Sequence, residues 1–437
     1  MKLATIKAGQ YVETFGYHTK GDAGAARYLV VASQVADEKG DHTLANGTVA
    51  VLQNGDIDVK QFGAKGNGTT DDTLPIQAAM NSLSEGQTLF FSTGLYIVST
   101  LTQDKNYCLS GVSTWGINGV ENGATIQSNT AGVPVLRITS DSSWNHQFIR
   151  FTANSGSTCC VQADTMFNGA QFNRCFFKGN GCATGVIIGS GIDAIFKDCY
   201  SSGFTDANYS NTSASIIIKD GLGDVATNSF VRHTTNGGNV IVDGTYLEWN
   251  SANTSIVVTD GAGSSANIVI NQVRQTAVQP KSIVRQTTNA STPSITVNSY
   301  RGQAPEYLYL DDVNTGRNQP WAGEVQGDSA IFNFQPTLVP FASNSNFNVL
   351  TANATAPNVS NGKFHRTNNN TATTINGFSN TFIGKEFWIQ INDSNTTIDF
   401  SASALKGNGG VDLVAKVGDS LFCVYTGTSY LCNVSIS

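Results

Sequence analysis

The chain has 437 residues, 40% of them apolar and only 13% charged, and carries a formal net charge of −7. That balance argues against a nucleic-acid or anionic-membrane partner, and an apolar share of this size with modest charge excludes a disordered chain. Gly numbers 44 against 9 Pro, and neutral polar residues abound, a mixture that suits strands and tight turns better than helices.

Taken in chain order, the first residues, MKLATIKAGQYVETFGYH, lack the apolar region of a secretory signal. No later run is long enough to cross a bilayer. The expectation is a soluble chain that does not use the general secretory route and has no membrane partner. Residues 1–55 read as a short β-rich connector module with a turn at Gly21-Asp22-Ala23-Gly24. One helix follows, with Asp71-Asp72-Thr73 as its N-cap, Pro75 in the first turn, and Ile76, Ala79, Met80 and Leu83 on one face. A strand is expected over 88–99.

From there short apolar segments are broken by Gly, Asn and Ser, and they repeat. Phe172-Asn173-Arg174-Cys175, Phe196-Lys197-Asp198-Cys199, Ile218-Lys219-Asp220-Gly221, Val242-Asp243-Gly244-Thr245, Ile270-Asn271-Gln272-Val273 and Val297-Asn298-Ser299-Tyr300 recur at steps of 22 to 28 residues. In each, an inward apolar residue closes a strand, two polar residues turn a corner, and the chain re-enters the core. Units of this length bury their apolar faces only by stacking. The fold class is therefore all-β, a right-handed parallel β-helix over residues 56–330 with coils about 4.8 Å apart. Cys175 and Cys199 then stack in an internal ladder. Residues 336–437 alternate strands with polar turns and read as a C-terminal β-sandwich.

None of the eight cysteines shows CxxC spacing, so neither a metal site nor another cofactor is expected. Most read as buried small hydrophobes in a chain made in a reducing cytoplasm. Cys423 and Cys432 flank a hairpin turn at 426–429 and are the one pair placed to bond.

The segment Asp58-Val59-Lys60-Gln61-Phe62-Gly63-Ala64-Lys65-Gly66-Asn67-Gly68-Thr69-Thr70-Asp71-Asp72-Thr73 resembles the opening signature of pectate-lyase-like β-helix proteins. Within that superfamily it is most similar to bacteriophage tailspikes, as are Ile76-Gln77-Ala78-Ala79 and Gly94-Leu95-Tyr96. Asn67 stands where an Asp is usual. Gly16-Tyr17, Gly21 to Ala25, and the C-terminal runs 373–378, 384–387 and 395–398 resemble flanking parts of the same proteins. The resemblance implies a homotrimer on a virion tail, assembled in the bacterial cytoplasm beside a phage tail or baseplate protein. It also implies binding, and often cleavage, of capsular polysaccharide or O-antigen. Its residues turn and cap the chain, so it says little about chemistry.

Glycan hydrolysis needs two carboxylates, one of them protonated. Asp198 and Asp220 share a corner position on successive coils and form one candidate pair, preceded by Lys197 and Lys219 and with Arg174 in the same column one coil earlier; a solvated polar corner is the plain alternative. Glu248 lies in Tyr246-Leu247-Glu248-Trp249, beside rings suited to the apolar face of a pyranose, and is the best single catalytic candidate; simple packing of Tyr246 and Trp249 is the alternative there. Asp243, on the same coil, is placed to complete a constellation with Asp220. The expected catalytic residues are thus Glu248, Asp220 and Asp198, and the expected substrate contacts Trp249, Tyr246, Asp243, Arg174 and Lys219. Arg232-His233 offers a base for β-elimination from a uronate, or is polar surface. Polygalacturonase signatures, phosphate loops and nucleophile elbows are absent. Hydrolysis, elimination and binding without cleavage all remain open from the residues.

Overall fold

The computed structural model of the protein describes residues 6–53, 55–112, 123–140, 144–166, 170–191, 193–212, 215–234, 238–249, 254–260, 266–276, 279–288, 293–298, 300–302, 305–313, 319–320, 347–360 and 364–436. Two compact units divide the chain, Met1–Pro340 and Phe341–Ser437.

The first unit opens with strands Tyr11–Glu13, Arg27–Val31, His42–Thr43 and Val49–Leu52 in one antiparallel sheet over a small core of Tyr28, Val30, Leu44 and Ala50. At the expected turn, burial works to raise the Asp22 pKa, but backbone N–H groups of Thr19, Gly24, Tyr17 and His18 donate to its carboxylate and hold it down at about 2.

The chain then winds through three ten-stranded sheets among the described residues. Face one runs from Ile57–Asp58 to Ser294–Val297, face two from Asn67–Asp71 to Tyr300–Arg301. Face three runs from Leu101–Gln103 to Tyr307–Asp311, with Gln319–Pro320 returning antiparallel at its edge. Successive coils pair in parallel and in register, for example Asp193 to Lys197 against Ser215 to Lys219.

The corner between faces one and two explains the repeat. Phe148, Arg174, Asp198, Asp220, Gly244 and Gln272 all take left-handed backbone conformation there, with φ between 50° and 61°. That conformation is unfavourable for an L-residue. It is repaid by a ladder in which each corner N–H donates to a carbonyl of the next coil: Arg174 to Lys197 and Asp198 to Lys219 at 2.9 Å, Asp220 to Asp243 at 2.9 Å, and Gly244 to Asn271 at 3.0 Å. The residue after each corner turns inward, so Cys175 and Cys199 are both 1% exposed, as the repeat predicts. Aromatic rings fill the same interior. Phe172 and Phe196 stack at 5.3 Å, and Phe172 also meets Trp144, Phe151 and Phe177.

The helix is found at Thr73–Ser82, but Asp72 does not cap it with its side chain. The expected capping segment is in place, with its side-chain bond made by the neighbouring Asp71. The fully buried Asp72 carboxylate points back and accepts from the N–H groups of Lys65 at 2.7 Å and Gly66 at 2.9 Å. Asp71 instead bonds the Thr73 N–H. The signature thus ties the Gly-rich turn to the helix start. Asp72→Ala would leave two N–H groups without acceptors, and we expect a loss of about 2 kcal/mol or more in equilibrium unfolding. An unchanged denaturation midpoint would remove Asp72 from that role. The strand expected over 88–99 is two strands, Thr88–Phe90 on face one and Gly94–Val98 on face two. Phe91 enters the core between them, and Ser92 donates to Asp58.

In the second unit, a mixed sheet containing Glu386–Gln390, Ser420–Tyr425 and Tyr430–Ser435 and a three-stranded sheet of Thr373–Ile375, Thr396–Ile398 and Leu413–Val414 contribute to one core that includes Phe387, Ile389, Ile398 and Leu421. Cys423 and Cys432 face each other across the hairpin with Cα atoms 4.2 Å apart and form a disulfide.

Candidate functional site

Strands present alternate residues outward, so the outer surface of face two carries two columns beside the corner. The nearer column reads Arg150, Phe176, Tyr200, Leu222, Tyr246, Arg274 and Arg301. The next contains Thr152, Lys178, Ser202, Asp224 and Glu248. Rings recur along the first column. Phe176 and Tyr200 stack at 4.4 Å, the Arg150 guanidinium lies 4.5 Å from the Phe176 ring centre, and Arg274 lies 5.9 Å from that of Tyr246.

Glu248 is exposed on this surface, and its cross-strand partner is Asp224. Parallel pairing sets the two carboxyl groups side by side on adjacent coils, where burial and like charge together raise the Asp224 pKa. Burial raises the Asp224 pKa above the ordinary carboxylate range. The Tyr200 hydroxyl, donating to Asp224 Oδ2 at 2.9 Å, pulls it back, while the charge and hydrogen bond of Glu248 lift it further. Tyr200 is itself pushed up to about 12, by burial first and then by Asp224. It is therefore a hydrogen-bond donor at neutral pH and not a base. Beneath the pair, fully buried Asn208 donates to the Asp224 carbonyl at 2.9 Å and accepts from Ala226 N–H at 2.8 Å, fixing the end of the strand Leu222–Val225.

The other expected site residues fall around the corner. Asp198 and Asp220 occupy the same corner position on successive coils, and Asp198 is engaged by Arg174, with Nε 3.5 Å from Oδ2. Exposed Asp220 leans over Gly244, where a Cβ would lie 2.4 Å from its Oδ1. Lys219 and Asp243 are cross-strand partners on face one, and Asn271 donates to Asp243 at 2.6 Å. Tyr246 stands next to Glu248 in the outer columns. The Trp249 side chain lies outside the described residues. The contact recorded for Glu248 is thus with Asp224, which sequence reasoning passed over. A signal existed: counting four residues on from Asp220 and from Gly244 gives Asp224 and Glu248, and two residues on from Asp198 gives Tyr200.

His233 is corrected. It is fully buried, faces the interior, and lies 3.1 Å from Asn211. It cannot act as a base on an external polymer. Its neighbour Arg232 points outward between Asp206 at 2.5 Å and Asp260 at 3.3 Å.

Residues 57–117 match the family model described as "Rhamnogalacturonase A/epimerase, pectate lyase-like". A stretch of 56 residues is 41% identical to a probable glucan endo-1,3-β-glucosidase of Arthroderma benhamiae, covering 13% of this chain and 6% of that protein. Among solved structures, the full-length tailspike protein 2 of Escherichia coli O157:H7 bacteriophage CAB120 is similar at 11% identity and a TM-score of 0.47, over 71% of this chain and 49% of that one. A tailspike of Acinetobacter baumannii bacteriophage Fri1, described as a capsular polysaccharide depolymerase, is similar at 10% identity and a TM-score of 0.43, over 99% of this chain and 90% of that one. The chain spans about half the length of the first of these tailspikes. The chain is a parallel β-helix of three stacked sheets whose opening coils match a pectate-lyase-like family model.

Proposed function

We propose that this chain is a tailspike-type depolymerase that binds a bacterial surface polysaccharide, capsule or O-antigen, and hydrolyses it internally on face two. The observation that carries the proposal is the cross-strand pair of half-buried Asp224, its pKa raised, and exposed Glu248 on an outer surface lined by Phe176, Tyr200 and Tyr246. Ring faces stack on the apolar faces of sugars. A partly buried acid beside an exposed carboxylate supplies the two groups that glycoside hydrolysis needs.

The two residues sit on adjacent coils whose strands run about 4.8 Å apart, a backbone spacing compatible with the ~5–5.5 Å between the carboxyl groups of a retaining pair. Asp224 donates its proton to the glycosidic oxygen as the bond to the anomeric carbon breaks, and Glu248 attacks that carbon to form a glycosyl ester. Asp224, now ionised, takes a proton from water, whose oxygen displaces Glu248. Arg174, Asp198, Lys219, Asp220 and Asp243, along the corner, contact neighbouring sugars. Hydrolysis is favoured over elimination because Tyr200 holds its proton and His233 is buried. Incubation with purified capsules and O-antigens, followed by sizing of the polymer, is expected to show shortening of one of them. Unchanged length across host polysaccharides, with binding retained, would support a receptor-binding protein that does not cleave.

The proposed setting is a virion tail, as a homotrimer. Face one supports this with an outward row of half-buried Ile195, Ile217, Ile241 and Val269 between polar columns. A flat apolar row of this kind suits a like surface on another copy. Ile217→Asp with Ile241→Asp is expected to convert trimer to monomer by light scattering. A trimer that survives both changes would exclude face one as the interface.

A further inference from the structure

Cations stand on both sides of the acid pair within the outer columns of face two. Half-buried Lys178 lies two coils before Asp224, through Tyr200 and Leu222 of the neighbouring column. Exposed Arg274 lies one coil after Tyr246, and exposed Arg301 one coil further. Elsewhere on the solenoid Arg137, Arg174, Arg232 and Arg285 are each ion-paired with an Asp. Arg274 instead lies over the Tyr246 ring, beside Glu248. The chain as a whole holds 32 Asp and Glu against 25 Lys and Arg, so its net charge repels a polyanion. Cations collected along one surface reverse that locally and steer such a ligand to it.

We infer that the polysaccharide taken by face two is acidic, with Arg274 and Arg301 holding sugar carboxylates on one side of the cleavage point and Lys178 on the other. The guanidinium fork suits a carboxylate bound through two hydrogen bonds, and a neutral sugar offers no such partner. Lys178 and Arg274 are four coils apart, roughly 19 Å along the axis, so the charges fall on different residues of one chain. Arg274 acts as a specificity residue and takes no part in bond breaking. This inference rests on the function proposed above, which locates the cleavage point.

The test uses the full chain and purified uronate-containing bacterial capsular polysaccharides, each paired with its carboxyl-reduced form, in which the acid has become a primary alcohol and the linkages are intact. Both cleavage and binding are measured, the latter with Asp224→Asn protein. The expected result is that one native polymer is bound and shortened, with at least about a tenfold loss of affinity on carboxyl reduction. Affinity should also fall with added salt. Arg274→Gln and Lys178→Gln should weaken binding of the native polymer and leave that of the reduced polymer unchanged. Equal binding of native and reduced forms, or variants that behave as the parent on the native form, would overturn the inference while leaving the depolymerase standing. Charge-dependent binding without shortening would sink the cleavage and keep the acidic ligand. Binding of none of the polymers would overturn both.

Discussion

Asp224→Asn is expected to lower kcat for polysaccharide cleavage by about 10²–10⁴, the range supplied by a positioned general acid, with affinity for the polymer retained. Asn keeps the shape of the side chain and its contact with Tyr200 but has no acid proton. Glu248→Gln should abolish cleavage at least as thoroughly, because it removes the proposed nucleophile. The cleavage rate should decline as pH rises through the raised pKa of Asp224, since the protonated form is the one that reacts. The linkage to stability has the same origin. A carboxyl whose folded pKa is raised contributes stability that is whole below its unfolded pKa and is lost as pH climbs through the folded value. The fold therefore disfavours the ionised form of Asp224, and Asp224→Asn should melt at the same temperature as the parent or higher. Steady-state kinetics across pH and a melting curve on the same preparation separate a chemical role from a structural one. Cleavage by the variant at the parental rate would remove Asp224 from the mechanism.

The second large effect is on stability. Phe172 is fully buried and meets five aromatic rings, Trp144, His146, Phe151, Phe177 and Phe196, with centroids 4.9 to 6.3 Å away. Phe172→Ala empties the centre of that stack and should lose about 3–5 kcal/mol. Phe172→Leu keeps most of the volume, and a loss of about 1.5 kcal/mol or less is expected. Because coils contact mainly their neighbours, hydrogen exchange should speed first between the coils of His146 and Phe196. Unfolding rates are the suitable global measure if refolding is not reversible. A Phe172→Ala chain that unfolds no faster than the parent would contradict this description of the core.

Much of the fold was legible because one steric event recurs. Arg174, Asp198, Asp220 and Gly244 all turn the same corner, so each is followed by an inward residue and preceded by an outward one. Alternation within each coil and recurrence between coils then give the stack and its register. The Asp71-Asp72-Thr73 cap was legible, but not which carboxylate makes the bond, because an Asp before a helix can bond either the helix N–H groups or a turn upstream. Here the Lys65–Gly66 turn comes within reach and takes the carboxylate. His233 was misplaced because a polar residue in a Thr- and Asn-rich stretch gives no sign of which side of the strand it occupies. In the structure it joins Asn211 inside the solenoid.

Read alone, the sequence carried the architecture: the apolar residues that close each strand, the spacing of the corners, and therefore the columns that any outer site must follow. It also singled out Glu248 among sparse acids. Only the tertiary structure decided what Glu248 meets. Parallel stacking carries a residue onto its counterpart about 24 positions away, and which way the pKa of Asp224 then shifts depends on burial, on Glu248 and on a third group, Tyr200. Those are properties of three coils together. No single coil's sequence contains them, because the dielectric surroundings of a side chain exist only once its neighbours have stacked.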